Sequence, residues 1–218
     1  VNMVENLGEV LHGSVIQNSA YELQMGKSDF KVLCKKDLTK REAMQFALRI
    51  RQDYRVHMIM DNLPAATRMI SELPDGKTVT MYDRGYRLGF VGAKEFPGTK
   101  PGGAYLNNHL RFIIKYHKDE SFEGARIVGF EVDPFSVAAT KDGNPGCSDE
   151  TLMLSGKAPQ VVNSKETIHF TYDVRFVVSN VRWASRWDTY LLMMDDQIHW
   201  FSIINSVMIV LFLSGMVA

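Results

Sequence analysis

Three groupings of reactive side chains are candidates for chemistry in this chain. His169, Asp173 and Arg175 fall at even spacing, so on a strand they share one face, as acid–base work would require. His57-Met58-Ile59-Met60 concentrates imidazole and thioether, a ligand set that suits Cu(I). Gly98-Thr99-Lys100-Pro101-Gly102-Gly103 carries glycines at phosphate-loop spacing. Each has a plainer reading. A solvated polar face accounts for the first without catalysis. His57 lies opposite Met58 and Met60 on an extended chain, so those methionines read as core filling. Ala104 stands where a phosphate loop needs lysine, which makes the third a turn. Neither HExxH nor GxSxG occurs. The sequence thus predicts no catalytic residue, no metal and no cofactor, and a protein that is not an enzyme.

The elements that would position these residues are mostly strands. Thr39–Asp53 predicts the one soluble helix: Thr39 caps it, Glu42 completes a capping box, and Ala43, Phe46, Ala47 and Ile50 form an apolar stripe. Around it, period-two alternation dominates. Thr167–Ser179 is the clearest strand, with Ile168, Phe170, Tyr172, Val174, Phe176 and Val178 facing one way. Leu110–His117, Arg55–Leu63, Lys77–Asp83, Tyr86–Ala93 and Ala125–Asp133 alternate similarly, and Tyr21–Met25 predicts a short strand. Pro- and Gly-rich turns separate them. Many strands with few helices predict an antiparallel β-sandwich over residues 1–188.

The 25 Lys+Arg balance the 25 Asp+Glu, which excludes the basic footprint of a nucleic-acid binder. The tail is a different material. Asp195 and Asp196 are the only charges after Asp188, and the 22 residues Gln197–Ala218 carry none. At ~1.5 Å per residue this run reaches ~33 Å, about the thickness of a hydrocarbon core. It predicts a membrane span over Ile198–Ala218, entered near Gln197–Trp200. Ser202, Asn205 and Ser206 share one helical face and predict contact with other helices, since polar groups in lipid normally face protein. Trp183, Trp187, Tyr190, Leu191, Met194 and Ile198 recur at helical spacing. They predict a helical collar at the headgroup level, joined by Trp200, with Arg186 and Asp188 reaching headgroups or neighbouring helices. Residues 189–218 thus read as juxtamembrane segment and first transmembrane helix. The chain reads as the front of a longer membrane protein. Its opening, VNMVENLGEV, lacks the basic-then-apolar pattern of a secretory signal.

WASRWDTYLLMMDDQIHWFSIINSVMIVLFLSGMVA (Trp183–Ala218) resembles the junction of ectodomain and first transmembrane helix in the transmembrane nine superfamily, the nonaspanins. LGEVLHG (Leu7–Gly13), LCKKDLT (Leu33–Thr39), MDNLP (Met60–Pro64), YRLGFVG (Tyr86–Gly92) and FTYDVRFVVSNVRWASRWD (Phe170–Asp188) resemble successive landmarks of that family, so the likeness runs along nearly the whole chain. The resemblance implies a polytopic protein of Golgi and endosomal membranes, reaching the cell surface in some settings. It further implies a cleaved signal, a lumenal N-terminal domain and nine spans, of which this chain carries the first. It implies sorting and surface delivery of other membrane proteins. The expected partners are therefore the lipid bilayer, the remaining helices of the same protein and client membrane proteins.

In a lumenal domain, the two cysteines Cys34 and Cys147 suggest a disulfide. It would close a loop of about 114 residues and contribute roughly 4–5 kcal/mol in the chain-entropy model. Two separate buried thiols are the alternative. The sequence contains no Asn-x-Ser/Thr sequon. Two other functional classes stay open at this level. Nine helices would also suit a transporter or channel, distinguished by charges inside later spans. A lumenal adhesion or ligand-binding module would act through residues 1–188 alone.

Overall fold

The structure is a computed structural model that describes residues 11, 17–27, 30–72, 76, 78–119, 123–139, 158–164, 167–192 and 200–217. Twelve strands are β1 (Lys31–Asp37), β2 (Arg55–Val56), β3 (Ile59–Met60), β4 (Leu63–Pro64), β5 (Ala66–Glu72), β6 (Thr78–Arg84), β7 (Tyr86–Arg87), β8 (Gly89–Val91), β9 (Ala104–Leu106), β10 (His109–His117), β11 (Arg126–Phe135) and β12 (Thr167–Val178). Helix α1 (Lys40–Arg51) follows β1, and helix α2 (Trp200–Val217) comes last.

Six strands form the main sheet in the order β1-β12-β10-β11-β5-β6. It is mixed, which corrects the purely antiparallel arrangement expected from sequence. β10 and β11 form an antiparallel hairpin. β12 then pairs with the free side of β10, not with β11, so it runs parallel to β10. Alternation fixes which residues share a face but carries no information on strand direction. β11 and β5 also touch in parallel, through Glu131 and Ala66.

One face of this sheet is apolar, and its core is built where the alternating residues of three strands meet. Leu110, Phe112, Ile114, Phe130, Val132, Tyr172 and Val174 are buried together with Leu63 of β4, Tyr86 of β7 and Ala65, which lies between β4 and β5. Phe112 stacks on Phe130, and Tyr21 packs edge-on against both Phe112 and Tyr172. Met58 and Met60 fill space against this core while His57 is exposed, as their alternation predicts. Helix α1 closes a second cluster, placing Ala43 and Ile50 against Leu106 and Ile168.

Local chemistry explains where the elements stop. Thr39 accepts from the Glu42 amide and Glu42 returns a bond to the Thr39 amide, so the predicted capping box starts α1. Arg55–Leu63 is not one strand, as its alternation suggested. Asp61 and Asn62 both adopt positive φ, at 49° and 62°, and turn the chain back as a two-residue hairpin. Tyr21–Met25 is not a strand either: the Glu22 amide bonds to the Tyr172 hydroxyl, and Gly26 turns at φ 79°. Gly89 is demanded by close approach, because a Cβ there would run into the Tyr105 carbonyl and the Ile50 side chain. The Gly98–Gly103 segment is a turn.

Helix α2 has 18 residues and no charge, and every side chain described on it, Ile203 to Val217, is exposed. Its length is ~27 Å, somewhat short of the ~30 Å hydrocarbon core. Among the described residues no helix is long and apolar enough to cross a membrane. Ile198 and His199, which open the predicted span, and Ala218, which ends it, lie outside the described residues.

Candidate functional site

Two constellations of side chains stand out, one at each end of β12. The first follows its C-terminus. The Ser179 amide bonds to the Tyr116 carbonyl, and the chain then makes two 3₁₀ turns, Trp183–Ser185 and Asp188–Leu192, in place of the continuous helix its spacing suggested. Arg186 sits between them and is only 6% exposed. Its guanidinium donates to the Asp61 carboxylate at 2.8 Å and to the Ile127 carbonyl at 3.4 Å, and lies 4.5 Å over the Trp183 ring. The sequence reading sent Arg186 outward to headgroups or other helices. The structure turns it inward, because the β3–β4 turn holds an acceptor carboxylate against it.

Tyr190 makes a second rivet: its hydroxyl donates to the Pro64 carbonyl at 2.7 Å and its ring packs on the main core. Burial pushes the Tyr190 pKa above its ordinary value, so the hydroxyl stays a donor. Trp187 packs on Tyr190 at 5.3 Å yet remains 47% exposed, and Leu191 projects freely. Trp183 is likewise about half exposed, with Arg126 stacked 5.9 Å from its ring. Asp61, Ala125, Arg126, Ile127 and Trp183 line an open groove of about 600 Å³. Asp188 begins the second 3₁₀ turn, and Trp200 begins α2. Asn205 and Ser206 lie on α2, exposed like the residues around them; the Ser202 side chain lies outside the described set.

The second constellation occupies the polar face of the main sheet. Sequence reading made His169, Asp173 and Arg175 a solvated face; this is corrected for His169, which is buried, while Asp173 is partly buried and Arg175 stays partly exposed. Register sets His109 beside Thr171 and Arg111 beside Asp173, with Asp133 across from Arg111 on β11. His109 is completely buried. Its Nδ1 lies 2.8 Å from the Thr171 hydroxyl and its Nε2 2.8 Å from Asp173, which also accepts from the Arg111 Nε at 2.9 Å. Phe30 stacks over the His109 ring at 5.9 Å and Phe135 leans on it at 6.1 Å. Further along the face Lys115 pairs with the buried Glu131, and Arg175 lies 3.7 Å from Asp173. Burial alone would raise the Asp173 pKa, but the His109 hydrogen bond and the Arg111 charge outweigh it and hold the carboxyl below its usual range.

Only Asp173, His169 and Arg175 of this cluster were singled out from sequence. His109, Arg111 and Lys115 alternate visibly along β10, but nothing in one strand reveals that a second strand will cover it. Among the described residues no three His, Cys, Asp or Glu side chains are grouped to hold a metal ion. Cys34 is an exposed free thiol, and Cys147 lies outside the described residues.

Residues 2–218 match the protein family described as Endomembrane protein 70. The chain belongs to that family. Within it, the chain is 46% identical to Transmembrane 9 superfamily member 10 of Arabidopsis thaliana, over 100% of this chain and 35% of the relative. Transmembrane 9 superfamily member 4 of Homo sapiens is 40% identical over 98% of this chain and 35% of its own length. Putative phagocytic receptor 1a of Dictyostelium discoideum is 34% identical over 100% of this chain and 35% of its own length. The nonaspanin resemblance carried by WASRWD and the upstream landmarks is thereby borne out. The chain spans about a third of the length of these Endomembrane protein 70 relatives, whose family is one of membrane proteins. No solved structure matches it.

Proposed function

We propose that this chain is the lumenal domain and first spanning helix of a polytopic Golgi and endosomal membrane protein. It would take part in sorting and surface delivery of other membrane proteins, without catalysis. The observation that carries the reading is α2: it is uncharged, and it exposes Ile203, Ile204, Val207, Met208, Val210, Leu211 and their neighbours on all sides. Such a helix is covered by lipid or by other helices, and Ile198–Ala218 is the span. Asn205 and Ser206 then mark the side that meets other helices, because polar side chains within a span normally face other protein. The collar supports the same reading, since Arg186 and Tyr190 fix the β domain to the segment that leads into α2. Trp183, Trp187 and Trp200 suit the headgroup level.

A photocrosslinker at Asn205 in the full-length protein tests this. Adducts with other spans of the same protein or with client membrane proteins are expected; adducts with lipid alone would overturn the helix-contact reading. A second reading is favoured by the relative named as a putative phagocytic receptor. In it the β domain binds an external ligand, and the open groove beside Trp183 is the place to look. Saturable binding of residues 1–188 to particles or cells would favour that reading over delivery of clients.

A further inference from the structure

The end of the main sheet opposite the collar holds two buried histidines that neither the fold nor the proposed function requires. His109 lies on β10 and is 0% exposed; His169 lies on β12 and is 4% exposed. Register puts Thr171 beside His109, so His169 is the diagonal neighbour one step along the same face. Asn108 ties this end together: its amide donates to the carbonyls of Val137 and His169, and its oxygen accepts from the Val137 amide.

Phe135 of β11 leans on His109, and the rest of the described cover over the two rings comes from one piece of chain. Phe30 reaches across β12 to stack on His109, and β1, which follows immediately, places Lys35 beside His169. Among the described residues β1 is an edge strand bonded to β12 alone, so peeling it away lifts Phe30 from His109 and Lys35 from beside His169. We propose that this end of the sheet is an acid-operated latch: neutral His109 and His169 hold Phe30 and β1 in place, and protonating them releases both from the sheet.

The charges facing the pair explain why protonation is resisted. Asp173 can only accept, so neutral His109 carries its hydrogen on Nε2 and takes the Thr171 hydroxyl hydrogen on Nδ1. Adding a second proton turns Nδ1 into a donor and forces that hydroxyl hydrogen to find another acceptor in a buried site. Among the described residues, register puts Arg68, Arg84, Arg111, Lys115 and Arg175 on this face against Asp173, Glu131 and Asp133, while Lys35 and Asp37 of β1 offset each other. Cations are already in excess, so an imidazolium at His109 adds to them. His169 is worse placed. Its Nδ1 is buried with no hydrogen-bond partner among the described residues, and Lys35 opposes a new positive charge more closely than Asp37 relieves it.

Burial accordingly holds both histidines below their ordinary pKa; at His109 Asp173 opposes this and Arg111 adds to it. A folded-state pKa below the unfolded value means the unfolded chain binds more protons. Stability from this pair is therefore complete above the ordinary histidine pKa of about 6.5 and is lost as pH falls through the folded values. Asp173, also depressed, acts in the same sense at lower pH. Asp133, raised chiefly by burial, acts in the opposite sense.

Hydrogen exchange of the 218-residue chain in detergent micelles, corrected for the intrinsic effect of pH, tests the latch. Between pH 7.5 and 5.5 the β1 amides bonded to β12 should lose protection by about tenfold or more. The double variant His109→Gln/His169→Gln should keep its pH 7.5 protection at pH 5.5. Unchanged protection in the wild type, or an equal loss in the variant, overturns the proposal. Should the variant not fold, urea unfolding of the wild type decides. Its unfolding constant should rise about tenfold per pH unit for each histidine taking up a proton below pH 6.5, and a constant independent of pH between 7.5 and 5.5 overturns the latch.

Discussion

Arg186 shows how one side chain can fasten the β domain to the collar. Its charge is satisfied by Asp61, a residue 125 positions earlier held in a left-handed turn, and its plane rests on Trp183. Asp61 is half exposed, so the ion pair is partly screened and is worth less than a fully buried one. Truncation to alanine should cost about 1–3 kcal/mol, because Asp61 can rehydrate while the Ile127 carbonyl and the Trp183 face lose their partner. Urea unfolding followed by tryptophan fluorescence measures it. Lysine should recover less than half of the loss, since an ammonium cannot lie flat on the indole and reach two acceptors together. The WASRWD string advertised Arg186 as functional from sequence, but its partner was invisible there. Asp61 reads locally as a turn residue, and only the tertiary fold brings the two together.

At the scale of elements, legibility followed the range of the interactions that define each one. Helix α1 was readable to within two residues because its capping box and apolar stripe are local. Thr39→Ala removes that cap and should cost about 1 kcal/mol, seen as a lower urea midpoint. The long strands β10, β11 and β12 were readable because alternation is also local. The breaks at Asp61-Asn62 and Leu88 were not, since a residue in a turn can sit within an unbroken hydrophobic alternation. Gly89 is a sharper case: it stood inside the YRLGFVG landmark, yet its reason is a carbonyl on β9 sixteen residues away. Gly89→Ala should cost about 1–3 kcal/mol through overpacking between β8, β9 and α1. A thermal melt that leaves the variant unchanged would mean that β9 can retreat without loss.

For the whole molecule, β12 organises everything else. It is the longest strand, about 36 Å from end to end, with the histidine cluster at its start and the collar just past its finish. Part of the polar face that sequence assigned to water became interior, at His169 and its neighbours His109 and Arg111, because β10 and β11 contribute matching charges and Phe30 and Phe135 pack on His109. A single strand's pattern cannot foretell such pairing. At the collar end, Arg186 and Tyr190 point into the domain, whereas Trp187 and Leu191 point out. That division predicts the orientation of the domain on a bilayer. In vesicles, a variant keeping Trp187 as its single tryptophan should be quenched by lipids brominated near the headgroup, and much less by lipids brominated at the chain ends. Trp187→Ala should then loosen the domain from the bilayer, seen as faster proteolysis of the segment before α2. Its urea midpoint should move less than that of Arg186→Ala, since a half-exposed ring gives up less burial than the lost Asp61 and Ile127 contacts. An unquenched Trp187 would place the collar clear of the membrane and make its aromatic rings ordinary surface packing.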